Sequence, residues 1–242
     1  LKYFYILKTG TTFPSILNRF GDFDQWTISA LNPGAVPVRV VDVENGEGLP
    51  PALNCRGVII TGSHSMVTDN LPWSLAIEEW LPSLIREQIP LLAICYGHQL
   101  LARAMGGDVG YNTGGIETGT VDVCLSSASF EDQLFSSLPL CFPAHADHSQ
   151  SVIKLPPGAV CLASSAHEKH LAYRYESCAW GLQFHPEFTA EIMSSYISEQ
   201  AEKLRMAGFS VPGLLAGVRE APISWGIAHK FFQMVSRTSH GD

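Results

Sequence analysis

The chain is poor in charge for its 242 residues. Lys and Arg number 15 against 23 Asp and Glu, a formal net charge of -8, and the charged share is 16% where an average globular chain carries ~25%. The few basic residues are scattered, so no positive stripe is available to neutralise phosphates, and a nucleic-acid partner is excluded. No uninterrupted apolar run approaches the ~18 residues of a spanning helix, which argues against a membrane partner. The six cysteines (Cys55, Cys95, Cys124, Cys141, Cys161 and Cys178) contain no C-x-x-C pair and are too sparse for a disulfide scaffold. A G-x-G-x-x-G fingerprint and a phosphate-binding P-loop are also missing, so no nucleotide site is legible. Internal repeats, low-complexity stretches and linker-like composition shifts are absent, which favours one domain. Nothing at the start reads as a signal peptide: Lys2 and Lys8 bracket a short aromatic-apolar segment with no small-residue cleavage site after it. The expectation is a cytoplasmic protein of a reducing compartment.

Hydrophobic residues are plentiful at 46%, enough for a sizeable core. Strand-length apolar runs at 1–7, 36–43, 57–61 and 91–94 alternate with helix-length segments at 14–31, from Pro72 onward, and at 97–105. That alternation predicts an α/β fold with a mostly parallel central sheet flanked by helices. Asp69 and Asn70 are expected to cap the helix that begins near Pro72, and Pro82 is expected to kink or interrupt it. The second half changes character, with short strands at 120–125, 150–153, 160–163, 170–175 and 179–184 that read as antiparallel additions. A helix over 189–207 follows, then a tail at 209–242 with a helix over 222–235. Trp225, Ile227, Phe231, Phe232 and Val235 give that last helix an apolar face, expected to pack on its own domain.

Chemistry concentrates at two places. In Leu91-Leu92-Ala93-Ile94-Cys95-Tyr96-Gly97-His98-Gln99 a buried strand runs straight into a helix, with a cysteine at the joint and small residues two positions to either side. This is the pattern of a nucleophile elbow, in which the helix N-terminus stabilises a thiolate and an anion beside it. The other five cysteines read as inert and buried. The second place is Gly181-Leu182-Gln183-Phe184-His185-Pro186-Glu187, where Glu187 can reach the His185 imidazole from the same side of an extended chain end. A base with its orienting carboxylate is what a thiolate nucleophile needs. An α/β-hydrolase is excluded by chain order, because there the acidic residue comes well before the histidine. His167, Glu168 and His170, like His145 with His148, lack the spacing of a metal site and read as loop histidines, so no metal is expected.

The pairing of Ile94–Ala102 (ICYGHQLLA) with residues 181–189 (GLQFHPEFT) resembles the class I, triad-type glutamine amidotransferases. Residues 57–65 (GVIITGSHS), followed by Asp69 and Pro72-Trp73, are similar to that family's oxyanion strand and loop. The branch they look like holds the stand-alone GMP-synthase-like members and the gamma-glutamyl peptidases. The resemblance covers 1–208 as the catalytic domain, leaves 209–242 as a helical extension, and implies a flavodoxin-like architecture. It implies Cys95, His185 and Glu187 as the triad, and backbone N–H groups of Gly62, Ser63 and Tyr96 as the oxyanion hole. Gln99 would contact bound glutamine, and the loop Pro143-Ala144-His145-Ala146-Asp147 would grip the amino-acid end through Ala144, His145 and Ala146, near the Gly115-Ile116-Glu117-Thr118-Gly119 segment. Two departures stand out: Ala93 replaces the first elbow glycine, and Gly62-Ser63-His64 replaces Gly-Gly-Pro. The activity implied is hydrolysis of the glutamine side-chain amide through a thioester, with ammonia passed to an acceptor. No cofactor is implied, and the partners are a glutamine or gamma-glutamyl substrate and a separate synthase subunit. Two alternatives remain open at this point, a gamma-glutamyl hydrolase using the same triad and a catalytically silent binding relative.

Overall fold

The computed structural model describes residues 2–237. Leu1, expected in the first strand, and residues 238–242 of the extension lie outside the described residues. Strands β1 (Tyr3–Lys8), β2 (Val38–Asp42), β3 (Cys55–Ile60) and β4 (Leu91–Ile94) form the first half. The second half adds β5 (Asp108–Tyr111), β6 (Glu117–Leu125), β7 (Cys141–His148), β8 (Gln150–Lys154), β9 (Val160–Ser164), β10 (Ala172–Tyr175) and β11 (Ala179–Leu182). Among the described residues nine of these make one sheet, ordered β2-β1-β3-β4-β11-β10-β9-β6-β7, while β5 and β8 pair separately. The pairs from β2 through β11 are parallel, and those from β11 to β7 antiparallel.

The inner parallel strands β4 and β11 and most of β1 and β3 are apolar because both sheet faces are covered. Their period of two sorts the side chains into two cores. Phe4, Ile6, Ile59, Leu92 and Ile94 face one layer; Tyr5, Leu7, Val58, Ile60, Leu91 and Ala93 face the other. The helices are α1 (Pro14–Phe20), α2 (Phe23–Leu31), α3 (Pro72–Arg86), α4 (Tyr96–Ala104), α5 (Ala190–Glu199), α6 (Ala201–Met206), α7 (Val211–Ala216) and α8 (Pro222–Arg237). Helix α8 lays Ile227, Phe231, Phe232 and Val235 into the same core as β1, with the Phe232 and Phe4 rings 5.0 Å apart. None of the helices among the described residues is long and apolar enough to cross a membrane.

Several expectations need correction. The helical segment at 14–31 is two helices, because Gly21 adopts a positive φ of 84° and Asp22 starts α2 with a capping box to Gln25. Pro82 does not interrupt α3. Ile77, Leu81 and Leu84 are buried on either side of it, and their burial outweighs the ~3 kcal/mol that an interior proline costs. The cap of α3 is Leu71, without a side-chain bond, and Asp69 instead accepts from Met66 N across a short 3-10 turn. The segment at 189–207 divides into α5 and α6, and α7 was not foreseen. Most important for the site, the stretch around Pro143 is a strand, β7, at the edge of the sheet. Leu125 N donates to Leu140 O, which makes Leu125 and Leu140 a hydrogen-bonded pair, so Asp122 and Pro143, three positions along the ladder, form a non-bonded pair. The nitrogen of Pro143 therefore faces the open edge and removes nothing from the ladder.

Candidate active site

Cys95 sits between β4 and α4 with φ 48° and ψ -96°, a strained conformation for a residue with a side chain. Two backbone bonds hold the joint: Cys95 N donates to Leu182 O at 2.7 Å, and Gln99 N donates to Cys95 O at 3.1 Å. The turn is tight enough that a Cβ on Gly97 would lie 2.9 Å from the backbone oxygen of Ile60. Tyr96 opens α4, so the free N–H groups of the helix's first turn gather beside the sulfur.

The chain leaving β11 carries the second half of the site. His185 N donates to His145 O at 2.7 Å, which ties the segment to the edge strand β7. His185 Nδ1 lies 2.8 Å from Glu187 Oε1, and both residues are buried. The ring stacks on Phe188 at 4.1 Å. Burial pushes the imidazole down, but the Glu187 carboxylate and the Cys95 sulfur outweigh it and hold the ring well above the ordinary histidine value. Gly62, in the turn after β3, fits against both partners. A Cβ there would meet His185 Cε1 at 2.9 Å and Cys95 Cβ at 3.7 Å.

A cavity of about 360 Å³ opens over the sulfur, with Ser63, His64, Cys95, Tyr96, Gln99 and residues 147–150 in its wall. Ala144, His145 and Ala146 are not in that wall. Because β7 is extended, Ala144 and Ala146 are buried in the interior. His145 turns its Nδ1 to Thr120 Oγ1 at 3.3 Å, and its imidazole is pushed down to about 4 by burial and by His185. The wall begins one residue later, at Asp147, whose carboxylate accepts from Thr118 Oγ1 and Gln200 Nε2, each at 2.8 Å. Next to it His148 Nε2 meets Glu117 Oε2 at 2.9 Å, and Ser165 Oγ donates to Glu117 Oε1 at 2.6 Å. Burial favours the neutral Glu117 acid, yet these two bonds hold the carboxyl below its usual range.

Gln99 reaches the cavity with its Nε2 already donating to Gln150 O at 2.7 Å and Gln183 Oε1 at 3.0 Å. Gln183, which sequence reasoning missed, donates in turn to Cys95 Sγ at 3.5 Å. The signal was available: a polar side chain inside a buried strand end, two residues from His185 and so on the same side. His64 is packed on Phe13 at 4.3 Å and lies 3.2 Å from Tyr196 Oη, with burial pushing its imidazole down. The histidines weighed as metal ligands do not converge, and among the described residues no three His, Cys, Asp or Glu side chains gather to hold a metal. Of the other cysteines, Cys55 and Cys178 are buried and Cys161 is half-buried, whereas Cys124 and Cys141 are exposed, against expectation.

The family's sequence profile, described as glutamine amidotransferase class-I, matches residues 16–203. The chain belongs to the class I glutamine amidotransferases. It is 30% identical over 189 residues to a subunit of the glutamine-hydrolyzing GMP synthase of Archaeoglobus fulgidus, covering 75% of this chain and 95% of that protein. It is 31% identical over 150 residues to the glutamine-hydrolyzing GMP synthase of Porphyromonas gingivalis, covering 62% of this chain. The chain spans only 27% of the length of that synthase, and 61% of the length of a Saccharomyces cerevisiae relative to which it is 30% identical over 158 residues. A solved glutamine amidotransferase from Thermotoga maritima superposes with a TM-score of 0.77 at 21% identity, over 97% of this chain and 98% of that one. That likeness shows the fold, a mostly parallel sheet between helices with antiparallel strands added.

Proposed function

We propose that the chain hydrolyses the side-chain amide of glutamine through a gamma-glutamyl thioester on Cys95. The sulfur adds to the amide carbon while N–H groups of Tyr96 and of the turn at Gly62 and Ser63 take the developing oxyanion. The C–N bond then breaks, and His185 gives its proton to the departing ammonia. The same imidazole next removes a proton from water, which cleaves the thioester and releases glutamate. Glu187 holds the ring in one tautomer and supports its positive form. Residues 147–150 and Gln99 form the wall that takes the amino-acid end of the substrate. One observation carries this reading: the buried His185 imidazole bonds the Glu187 carboxylate through Nδ1, and its ring and Cys95 flank the same point at Gly62, 2.9 and 3.7 Å from a Cβ built there.

The ammonia acceptor would be bound by a separate synthase protein, in keeping with the Archaeoglobus relative's being named as one subunit of its synthase. A second reading, hydrolysis of larger gamma-glutamyl amides, is favoured by the roomy cavity and by His64 in its wall. Intact mass after incubation with the diazoketone analogue of glutamine tests the first reading, with Cys95→Ala as control. A single adduct on Cys95, lost in the variant, supports it. A folded chain that takes up no adduct yet turns over gamma-glutamyl peptides supports the second reading, and full turnover by Cys95→Ala overturns both.

A further inference from the structure

The two exposed thiols lie together. Cys124 on β6 and Cys141 on β7 are register partners in the antiparallel ladder, and their sulfurs are 2.6 Å apart. The backbone fixes this closeness independently of the side chains. Leu125 and Leu140 form a hydrogen-bonded pair, so the adjacent pair, Cys124 and Cys141, is of the non-bonded kind. Such pairs bring Cα atoms to about 4.5 Å, inside the ~4.4–6.8 Å that a disulfide spans. The Cys124 thiol is held above its ordinary value chiefly by its bond to Cys141. Cys161, the next most open thiol, is half-buried and instead lies near the Lys169 and Ala163 carbonyl oxygens.

We propose that Cys124 and Cys141 are a thiol modification site, closed into a cross-strand disulfide by a low-molecular-weight disulfide such as oxidised glutathione. A thiolate of the pair attacks one glutathione sulfur, forming a mixed disulfide and releasing one reduced glutathione. The second protein thiol, deprotonated, attacks the protein sulfur of that mixed disulfide and releases the other. Two protein thiols lose two hydrogens, and one oxidised glutathione becomes two reduced ones. Register pairing makes the second step intramolecular, so mixed adducts do not accumulate. β7 is an edge strand with β6 as its sheet neighbour, and its far end supplies the carbonyl that holds His185 N and the Asp147 of the cavity wall. Along β7, His145 and Asp147 lie four and six steps from Cys141, roughly 13 and 20 Å of strand. The disulfide therefore acts on the hairpin's hold on the sheet.

The test uses the full chain carrying Cys95→Ala, reduced and then incubated with oxidised glutathione. The expected product is lighter by two hydrogens and yields one cross-linked peptide joining Cys124 to Cys141, reversed by a thiol reductant. Its thermal midpoint should rise by about 5 °C or more over the reduced chain. In Cys124→Ser and Cys141→Ser the remaining thiol should keep a glutathione adduct, with no cross-link and no rise. Stable glutathione adducts on the unsubstituted pair, an unchanged mass, an unchanged midpoint, or a cross-link that survives either serine variant would each overturn the proposal.

Discussion

At the residue scale the site turns on a buried imidazole with an anion-forming group on either side. Burial disfavours the charged ring, and the Glu187 carboxylate is the largest influence opposing it. His185 therefore contributes stability as an imidazolium that is complete below about pH 6.5, the ordinary histidine value, and is lost as pH rises through the raised folded value. In Glu187→Gln the amide keeps a hydrogen-bonding group near Nδ1 but removes the charge, so burial gains the upper hand and the ring should titrate at lower pH. A ring-resolved NMR titration of His185 should show that downward move, with kcat reduced on the order of 10²-fold. A variant whose ring titrates where the parent's does would mean that Glu187 does not govern the proton. Cys95 and the His-Pro-Glu segment were legible because their chemistry is local in sequence. Gln183 left a local trace, a polar residue at a buried strand end, but its bond to Gln99, 84 positions away, is made only by the fold.

At the scale of elements, what the sequence made visible follows from how many neighbours a segment needs. β3, β4 and β11 read as strands because they are apolar on both faces, and the buried sheet explains why. β7 did not. Its residues Pro143, His145, Asp147 and His148 have the composition of a loop, and they are extended only because β6 supplies a ladder and Pro143 faces its open side. Placing Ala144 and Ala146 at the substrate followed from the segment's resemblance to a family loop. The same dependence on packing operates at the elbow. Gly97 lets α4 close onto the end of β3, and the strain at Cys95 is sustained by that contact. Gly97→Ala would drive a Cβ to within 2.9 Å of Ile60 in both its side chain and backbone, where nothing flexible can yield. The expected cost is about 1–3 kcal/mol, with a midpoint lower by several degrees and slowed turnover, read by calorimetry beside glutaminase kinetics. An unchanged midpoint would show that the strand end has slack the packing does not suggest.

At the scale of the whole molecule the question is where the folded body ends. The sequence resemblance places the end of the catalytic part at residue 208, and the family profile matches residues 16–203. The packing runs further. Ile227, Phe231, Phe232 and Val235 of α8 are buried in the same cluster as Phe4, Ile59, Leu92 and Trp180, the side chains of the central sheet. Arg56 Nη2 donates to Ser236 O at 2.7 Å, and His229 faces Leu31 O, so the helix is also pinned at its middle and at its C-terminal end. Burying the four apolar side chains is worth roughly 6–12 kcal/mol. A domain of ordinary stability has only about 5–15 kcal/mol in all. Removing 209–242 should therefore leave a chain that binds a hydrophobic dye and shows no cooperative thermal transition, whatever becomes of Cys95. Were the truncated chain instead to melt cooperatively and still take up the glutamine analogue, α8 would be an accessory laid over a core that is complete without it. The aromatic contacts between α8 and β1 argue for the first outcome, because stripping them exposes Phe4, a core side chain of the sheet.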